Sequence, residues 1–309
     1  MAVALVGTAI RSQFEAVVDR NQPLCREHFR LVLKLADFPG TIPGQFIQIA
    51  CRDFDNFSSP DDVETDWSPP DPIRVSDPDL ISKHAQLRRP FSLAGRSDSA
   101  DGVSLDIIHR VVGVGTEWLS DLAAGDKVSI LGPLGNWFTL PRPDEPALLV
   151  GGGVGIPPML YLAHALTNRP ATAFCGVTTR DLLPVTLTPE GHCPEFGIPT
   201  IVTTDDGTLG IRGYVTAALE AHLDGPGRGT NPVIYTCGPE PMMKRVAEIA
   251  NARGLECQIA VERAMACGMG TCQSCCIKVR AFGRPDGRDW IYRLACTDGP
   301  VFRAADLLW

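Results

Sequence analysis

The sequence predicts a multi-domain β plus α/β protein, with an antiparallel β-barrel, a parallel-sheet α/β domain and a small cysteine-rich C-terminal domain. Three observations predict this fold class: short alternating strands up to about residue 140, a strand–turn–helix rhythm from about 145 to 255, and four cysteines within ten positions near the end. We therefore divide the chain into residues 1–143, 144–255 and 256–309.

Length and composition limit the possible classes of protein. The 309 residues suffice for two or three domains, and 44% hydrophobic with 21% charged residues is ordinary for a globular protein. A net charge of −8 argues against a nucleic-acid partner, because nucleic-acid binders carry basic patches. Glycines and prolines interrupt the longest apolar stretch, residues 147–166, so we expect no membrane span. Eleven cysteines, clustered rather than spread as pairs, favour metal ligation in a reducing cytoplasm.

The strands of the barrel are indicated by four short runs: 29–36, 44–51, 103–113 and 126–135. Residues 116–125 are predicted to form the helix of this part, with Gly125 as its C-terminal cap. An acidic, proline-rich insert lies between strands at about 52–80. Its composition cannot bury much apolar surface, so we expect a loop there.

The cysteines near the end have the spacing of an iron–sulfur site. Cys267, Cys272 and Cys275 form C-x4-C-x2-C, and Cys296 follows twenty-one positions after Cys275. This is the plant-type spacing of a [2Fe–2S] cluster, whose two irons need four thiolates in all. Glycines between the first two cysteines allow the loop to turn its backbone N–H groups toward the sulfurs.

Zinc is the main alternative for these cysteines. Structural zinc sites usually pair two short knuckles, and the second half of this segment offers only Cys296. The neighbouring Cys276 points away from Cys275 if the chain is extended, so we expect it to be a buried bystander.

A one-electron centre is useful beside a group that converts single electrons into pairs, and flavin is the usual converter. Arg89, Pro90, Phe91 and Ser92 have the form R-P-aromatic-S at a strand. The Arg could bind a pyrophosphate while the Ser and the backbone reach the isoalloxazine edge. The alternative is an exposed Arg before a core strand.

A second motif strengthens the flavin hypothesis. Its candidate residues are Ile108, His109 and Arg110 beside the flavin, and Gly115 and Thr116 at the start of a helix. A helix start offers backbone N–H groups to a phosphate. The alternative for His109 is a strand histidine that is satisfied by a neighbour.

Two loops after predicted strands indicate a nicotinamide site. The candidate residues are Gly151, Gly153 and Gly155 in "GGGVGIPP", and Cys237, Gly238 and Pro239 in "YTCGPEPMM". The first loop lies where dinucleotide phosphates bind, although it departs from G-x-G-x-x-G at Ile156. The alternative for the first loop is a tight strand–helix turn without a ligand, and the alternative for Cys237 is an inert core thiol.

These motifs in this order resemble the ferredoxin-reductase superfamily, which joins a flavin barrel to a nicotinamide domain. Within it, "MACGMGTC" and "CTDGPVF" make the chain similar to the family of electron-transfer subunits of NAD-linked, two-subunit dihydroorotate dehydrogenases. The resemblance implies FAD contacts by the two flavin motifs and [2Fe–2S] ligation by Cys267, Cys272, Cys275 and Cys296. It also implies electron flow from an FMN-containing catalytic subunit through the cluster and FAD to NAD⁺ in pyrimidine biosynthesis, within a hetero-oligomer.

Two other functions stay open at this point. A reductase subunit could serve a hydrogenase, a sulfur reductase or a ferredoxin with the same cofactors. A zinc-bound regulatory module could sense NAD(H) or flavin without turnover. The choice between NAD and NADP is also open, because Arg180 could pair with a 2′-phosphate that the adjacent Asp181 would repel. The resemblance favours NAD.

Overall fold

The computed structural model describes residues 12–52, 85–283 and 285–309, which form three sheets. Almost all of the acidic insert predicted at 52–80 lies outside the described residues. Among the described residues, no helix is long and apolar enough to cross a membrane.

The first sheet is an antiparallel half-barrel of seven strands in the order β4-β3-β7-β1-β2-β6-β5. The strands are β1 Ser12–Cys25, β2 His28–Leu35, β3 Phe46–Ile49, β4 Arg89–Ser92, β5 Gly95–Ser99, β6 Gly102–Arg110 and β7 Lys127–Leu134. All four predicted runs are confirmed as strands. Their inward aliphatic side chains, such as Leu33, Ile47 and Ile130, pack into one core.

One prediction for this sheet is wrong in detail. Helix α1 covers Val114–Asp121, so it ends four residues before Gly125. Gly125 has a φ of 97° and donates its N–H to the carbonyl of Val18. It is therefore a turn glycine next to β1 and does not cap the helix.

The second sheet carries helices on both faces, as the strand–turn–helix rhythm predicts. Its first elements are β8 Ala147–Gly152, α2 Ile156–Ala165, β9 Ala171–Val177, β10 Thr200–Thr204, β11 Ile211–Arg212, α3 Val215–Asp224, β12 Val233–Cys237, α4 Glu240–Ala252 and β13 Cys257–Ala260. These strands are parallel in the order β11-β10-β9-β8-β12-β13. Every residue of β8 is buried, because helices cover both faces of a central parallel strand.

The cysteine segment leaves this sheet and returns to it. After the cysteine loop, β14 Cys276–Arg280 and β15 Trp290–Leu294 form a hairpin. Strand β16, Val301–Arg303, then pairs antiparallel with β13, and β17, Leu307–Leu308, pairs with β14. The limits of the three domains stay a prediction, but this pairing attaches both ends of the segment to the second sheet.

Asn136 connects the half-barrel to this returning strand. Its side-chain amide donates to the carbonyls of Asp298 and Val301 at 2.9 and 2.8 Å, and its Oδ1 accepts the Val301 N–H at 2.8 Å. One side chain after β7 therefore satisfies three backbone groups next to β16.

We expect Asn136→Ala to lower the free energy of unfolding by about 2–3 kcal/mol, because three hydrogen bonds are lost and backbone groups are left unpaired. Urea denaturation measures the effect. The control is Asn251→Ala on the exposed surface of α4, which should change stability by less than about 0.5 kcal/mol. Equal effects of the two substitutions would contradict this role of Asn136.

Candidate cofactor cleft and cysteine loop

A cleft of about 1680 Å³ lies between the half-barrel and the second sheet. It brings together these predicted residues: Arg89, Pro90, Phe91, Ser92, Ile108, His109, Arg110, Gly115, Thr116, Gly153, Gly155, Cys237, Gly238 and Pro239. Gly151 does not line the cleft. A Cβ at Gly151 would lie 2.9 Å from the Cα of Ile156, so this glycine permits close packing of the strand against α2.

The two flavin motifs meet at the start of α1. A Cβ built on Gly115 would lie 3.5 Å from the Cγ of Arg89, so the arginine side chain passes next to this backbone. Arg89 also donates to the carbonyl of Leu87 at 2.9 Å. A guanidinium beside a helix start is a suitable arrangement for a pyrophosphate.

Thr116 and Arg110 line the cleft and also make contacts within the protein. The Thr116 hydroxyl accepts a hydrogen bond from the N–H of Val112 at 2.8 Å. The backbone N–H of Thr116 donates to the carbonyl of Gly113. Thr116 therefore fixes the loop that precedes α1. Arg110 pairs with Glu27 at 2.8 Å at the half-exposed rim of the cleft.

His109 is the residue of the cleft whose environment points most clearly to a ligand. Its side chain is 2% exposed, stacks on Phe29 at 5.8 Å and meets the edge of Phe91 at 6.1 Å. Neither ring nitrogen has a hydrogen-bond partner within the part of the chain that the structure describes. Burial, with a smaller contribution from His28, lowers the pKa of His109 to about 4. A neutral imidazole with two unpaired nitrogens fits the polar edge of a bound flavin.

The two nicotinamide loops touch each other. A Cβ at Gly155 would overlap the carbonyl oxygen of Cys237, and one at Gly152 would lie 3.0 Å from Pro239. Only glycine allows this approach. The Cys237 thiol is protonated at neutral pH, because burial raises its pKa to about 12.

Some residues of the cleft were missed from the sequence. Asp205 and Tyr214 from the second sheet line it, as do Glu262 and Met265 from the start of the cysteine segment. Loop residues without periodicity give no signal of this kind before the fold is known. Neither Arg180 nor Asp181 lines the cleft, although Thr178 and Leu182 on either side of them do.

The cysteine loop directs backbone N–H groups at one of its sulfurs. The Sγ of Cys267 accepts the backbone N–H groups of Met269 and Cys272, each at 3.4 Å. Gly268 and Gly270 make this turn possible with φ values of 68° and 87°. Backbone N–H groups that point at a sulfur stabilise a thiolate and its metal ligation.

The cysteine sulfurs of this segment are close enough to affect one another. Hydrogen bonds from Ser274, with a smaller contribution from Cys267, lower the pKa of Cys272 to about 6. Burial, with the adjacent Cys275 thiol, raises the pKa of Cys296 to about 12. Within residues 12–52, 85–283 and 285–309, no three metal-ligating side chains surround one point. A binuclear cluster takes two thiolates on each iron, and the loop together with Cys296 supplies the four sulfurs that this requires.

Cys276 is exposed, so its prediction as a buried bystander is wrong. It begins β14, in which exposed and buried residues alternate, and Ile277 takes the inward position. Cys275, just before the strand, is 1% exposed.

Comparisons with known proteins agree with this geometry. A family model described as the iron–sulfur cluster binding domain of dihydroorotate dehydrogenase B matches residues 262–308. The dihydroorotate dehydrogenase B (NAD(+)) electron transfer subunit of Desulforamulus reducens is 32% identical over 268 residues, 87% of each chain. That of Geobacillus kaustophilus is 39% identical over 229 residues, 72% of this chain and 80% of the relative.

Solved structures show the same fold. An NADH-dependent reduced ferredoxin-NADP oxidoreductase has a TM-score of 0.70 and 25% identity, covering 95% of this chain and 90% of its own. The Amycolatopsis cytochrome P450 reductase GcoB has a TM-score of 0.57 and 26% identity, covering 82% and 70%. The fold and the cleft thus define a ferredoxin-reductase-like oxidoreductase with an added iron–sulfur segment. The chain belongs to the family of electron transfer subunits of the NAD-linked dihydroorotate dehydrogenase B.

The low pKa of His109 predicts a pH dependence of stability in the flavin-free protein. The folded pKa of about 4 is below the unfolded value of about 6.5, so the stability that the neutral ring contributes is complete above about pH 6.5. It is lost as the pH falls toward 4, by about 3 kcal/mol. Urea denaturation at several pH values should show this loss reduced in His109→Gln.

The control is His192→Gln, at an exposed position, which should retain the pH dependence of the unsubstituted protein. An unchanged pH dependence in His109→Gln would contradict the burial of a neutral imidazole at this site.

Proposed function

We propose that the chain links an FMN-containing, dihydroorotate-oxidising catalytic subunit to NAD⁺ in pyrimidine biosynthesis. One observation carries the proposal: Arg89 of the half-barrel, Cys237 of the second sheet and Met265 of the cysteine segment line the same cleft. This shared lining supports a flavin site, a nicotinamide site and a cluster segment close to one another. The names of the relatives, electron transfer subunits of an NAD-linked enzyme, support the choice of donor and acceptor.

Each group has residues that fit it. Arg89 and the N–H groups around Gly115 would hold the FAD pyrophosphate, and Ser92 and His109 the polar edge of the ring. The touching loops at Gly155 and Cys237 would hold the nicotinamide. The four ligands proposed for the cluster are Cys267, Cys272, Cys275 and Cys296. When bound, these groups would supply hydride exchange with the nicotinamide and the storage of single electrons.

The protein's own contribution is binding, orientation and the control of charge. Arg89 would offset phosphate charge at the rim, whereas His109 and Cys237 keep the inner cleft neutral because burial disfavours their charged forms. The close approach of the loops at Gly155 and Cys237 fixes the shape of the proposed nicotinamide site. Preorganised neutral polar groups can stabilise the charge that changes during hydride transfer, and they add no fixed charge to the cleft.

We also infer a hetero-oligomer and a cytoplasmic location. The family name implies a catalytic partner subunit, and this partner would supply both the FMN and the dihydroorotate site. All eleven cysteines are free thiols, which is typical of a reducing compartment.

A second candidate differs only in the source of electrons. A hydrogenase, a sulfur reductase or a ferredoxin would replace the dihydroorotate-oxidising subunit. The likeness over 95% of the chain to the NADH-dependent reduced ferredoxin-NADP oxidoreductase favours the ferredoxin version. The family match over residues 262–308 favours iron and sulfide over the zinc-bound sensor.

Reconstitution with a partner tests the proposed donor. The chain is co-expressed with a candidate FMN subunit, and NADH formation from dihydroorotate is measured under anaerobic conditions. We expect NADH only when both chains are present. A fully loaded pair that forms no NADH from dihydroorotate but reduces NAD⁺ with reduced ferredoxin would contradict the proposal in favour of the second candidate.

Two adjacent cysteines provide a matched test of the cluster ligands. We expect Cys275→Ser to lose most bound iron and sulfide and to lower NADH formation at least about 10-fold, because a buried ligand is removed. Cys276→Ser should keep both, because this side chain lies on the exposed face of β14. Iron, sulfide and NADH are measured in both variants. Equal loss in the two would contradict the assignment of ligands.

A further inference from the structure

Gln48 is a buried polar residue whose hydrogen-bonding groups have no partner. It lies in β3, where its neighbours Phe46, Ile47 and Ile49 are buried and apolar, and it is itself 0% exposed. Neither its Nε2 nor its Oε1 has a hydrogen-bond partner among the residues that the structure describes. Buried amides are almost always hydrogen-bonded, so an unpaired one indicates a group that binds there.

The Gln48 amide faces the cysteine loop. A Cβ built on Gly268 would lie 2.7 Å from both the Cδ and the Oε1 of Gln48. Gly268 directly follows Cys267 and has a φ of 68°. The amide therefore occupies the space in which a side chain at position 268 would lie, and only glycine fits between Cys267 and the half-barrel.

The amide does not belong to the cofactor cleft. Gln48 is absent from the lining of the cleft, although its register partner Pro90 in β4 is part of it. On the other side of β3, Gln48 is opposite the partly buried Leu131 of β7. Its neighbour Phe46 packs in the same core as Cys275, so Gln48 lies in the wall between the flavin strand and the proposed cluster.

We propose that the Gln48 NH₂ group donates a hydrogen bond to a sulfur of the cluster, either the Cys267 thiolate or an inorganic sulfide. Cys267 already accepts two backbone N–H groups, and the side-chain amide adds a donor from a different domain. Reduction places additional negative charge on the sulfurs, and hydrogen bonds to them stabilise it. Gln48 is therefore a positioning residue that raises the reduction potential of the cluster.

This inference rests on the cluster of the proposed function, but it does not depend on the identity of the partner. Two substitutions test it in the complete chain. Gln48→Met and Gln48→Leu keep a similar volume without a hydrogen-bond donor. The midpoint potential of the cluster is measured by a redox titration followed by electron paramagnetic resonance, with iron and sulfide determined on each sample.

We expect a more negative midpoint potential in both variants, because each lacks the donor that stabilises charge on the sulfurs. The control is Gln45→Met. Gln45 is also buried in the half-barrel, but its amide donates to Gly135 and accepts from the Ile42 N–H, so its loss should leave the potential unchanged.

The outcomes separate this inference from the proposed function. If both Gln48 variants carry the full iron and sulfide and keep the potential of the unsubstituted protein, the inference is overturned and the cluster assignment survives. An equal shift in Gln45→Met also overturns it, since the effect would then be general to the barrel. An unsubstituted protein that binds no iron and sulfide overturns both.

Discussion

The antiparallel pairing of β16 with β13 is the constraint on which the rest of the structure depends. The cysteine loop leaves the second sheet at β13 and returns to it at β16, so both ends of the proposed cluster site are fixed to the sheet that carries the nicotinamide loops. Asn136 fixes the same strand to the half-barrel. The three candidate sites therefore have set separations, which transfer of electrons between bound groups requires.

A second theme is the way in which the protein distributes polarity. Around the proposed flavin and nicotinamide, the buried groups are neutral: His109 and Cys237 have pKa values moved away from neutrality by burial. Charged groups such as Arg110 and Glu27 pair at the rim. Around the cysteines, backbone N–H groups and the amide of Gln48 supply donors without charge. The site thus offers dipoles and not fixed charges to added electron density.

Much of the fold and of the candidate site could be predicted from the sequence, because strand periodicity, glycine-rich turns and cysteine spacing are local features of the chain. Strand β1 was missed because many of its residues are polar and exposed. Strand β16 was missed because three residues are too few to show a hydrophobic period. The exposure of Cys276 depended on the register of β14. Gln48 gave no signal at all: a glutamine among apolar residues is informative only once the fold places Gly268 against it.

The central claim is that paired thiolates of the cysteine loop bind a binuclear cluster beside a flavin cleft. Quantifying flavin, iron, zinc and sulfide in anaerobically purified protein tests it most directly. The account predicts about one flavin, two irons and two sulfides per chain, with no zinc. A colourless protein with one zinc per chain and neither flavin nor sulfide would contradict it.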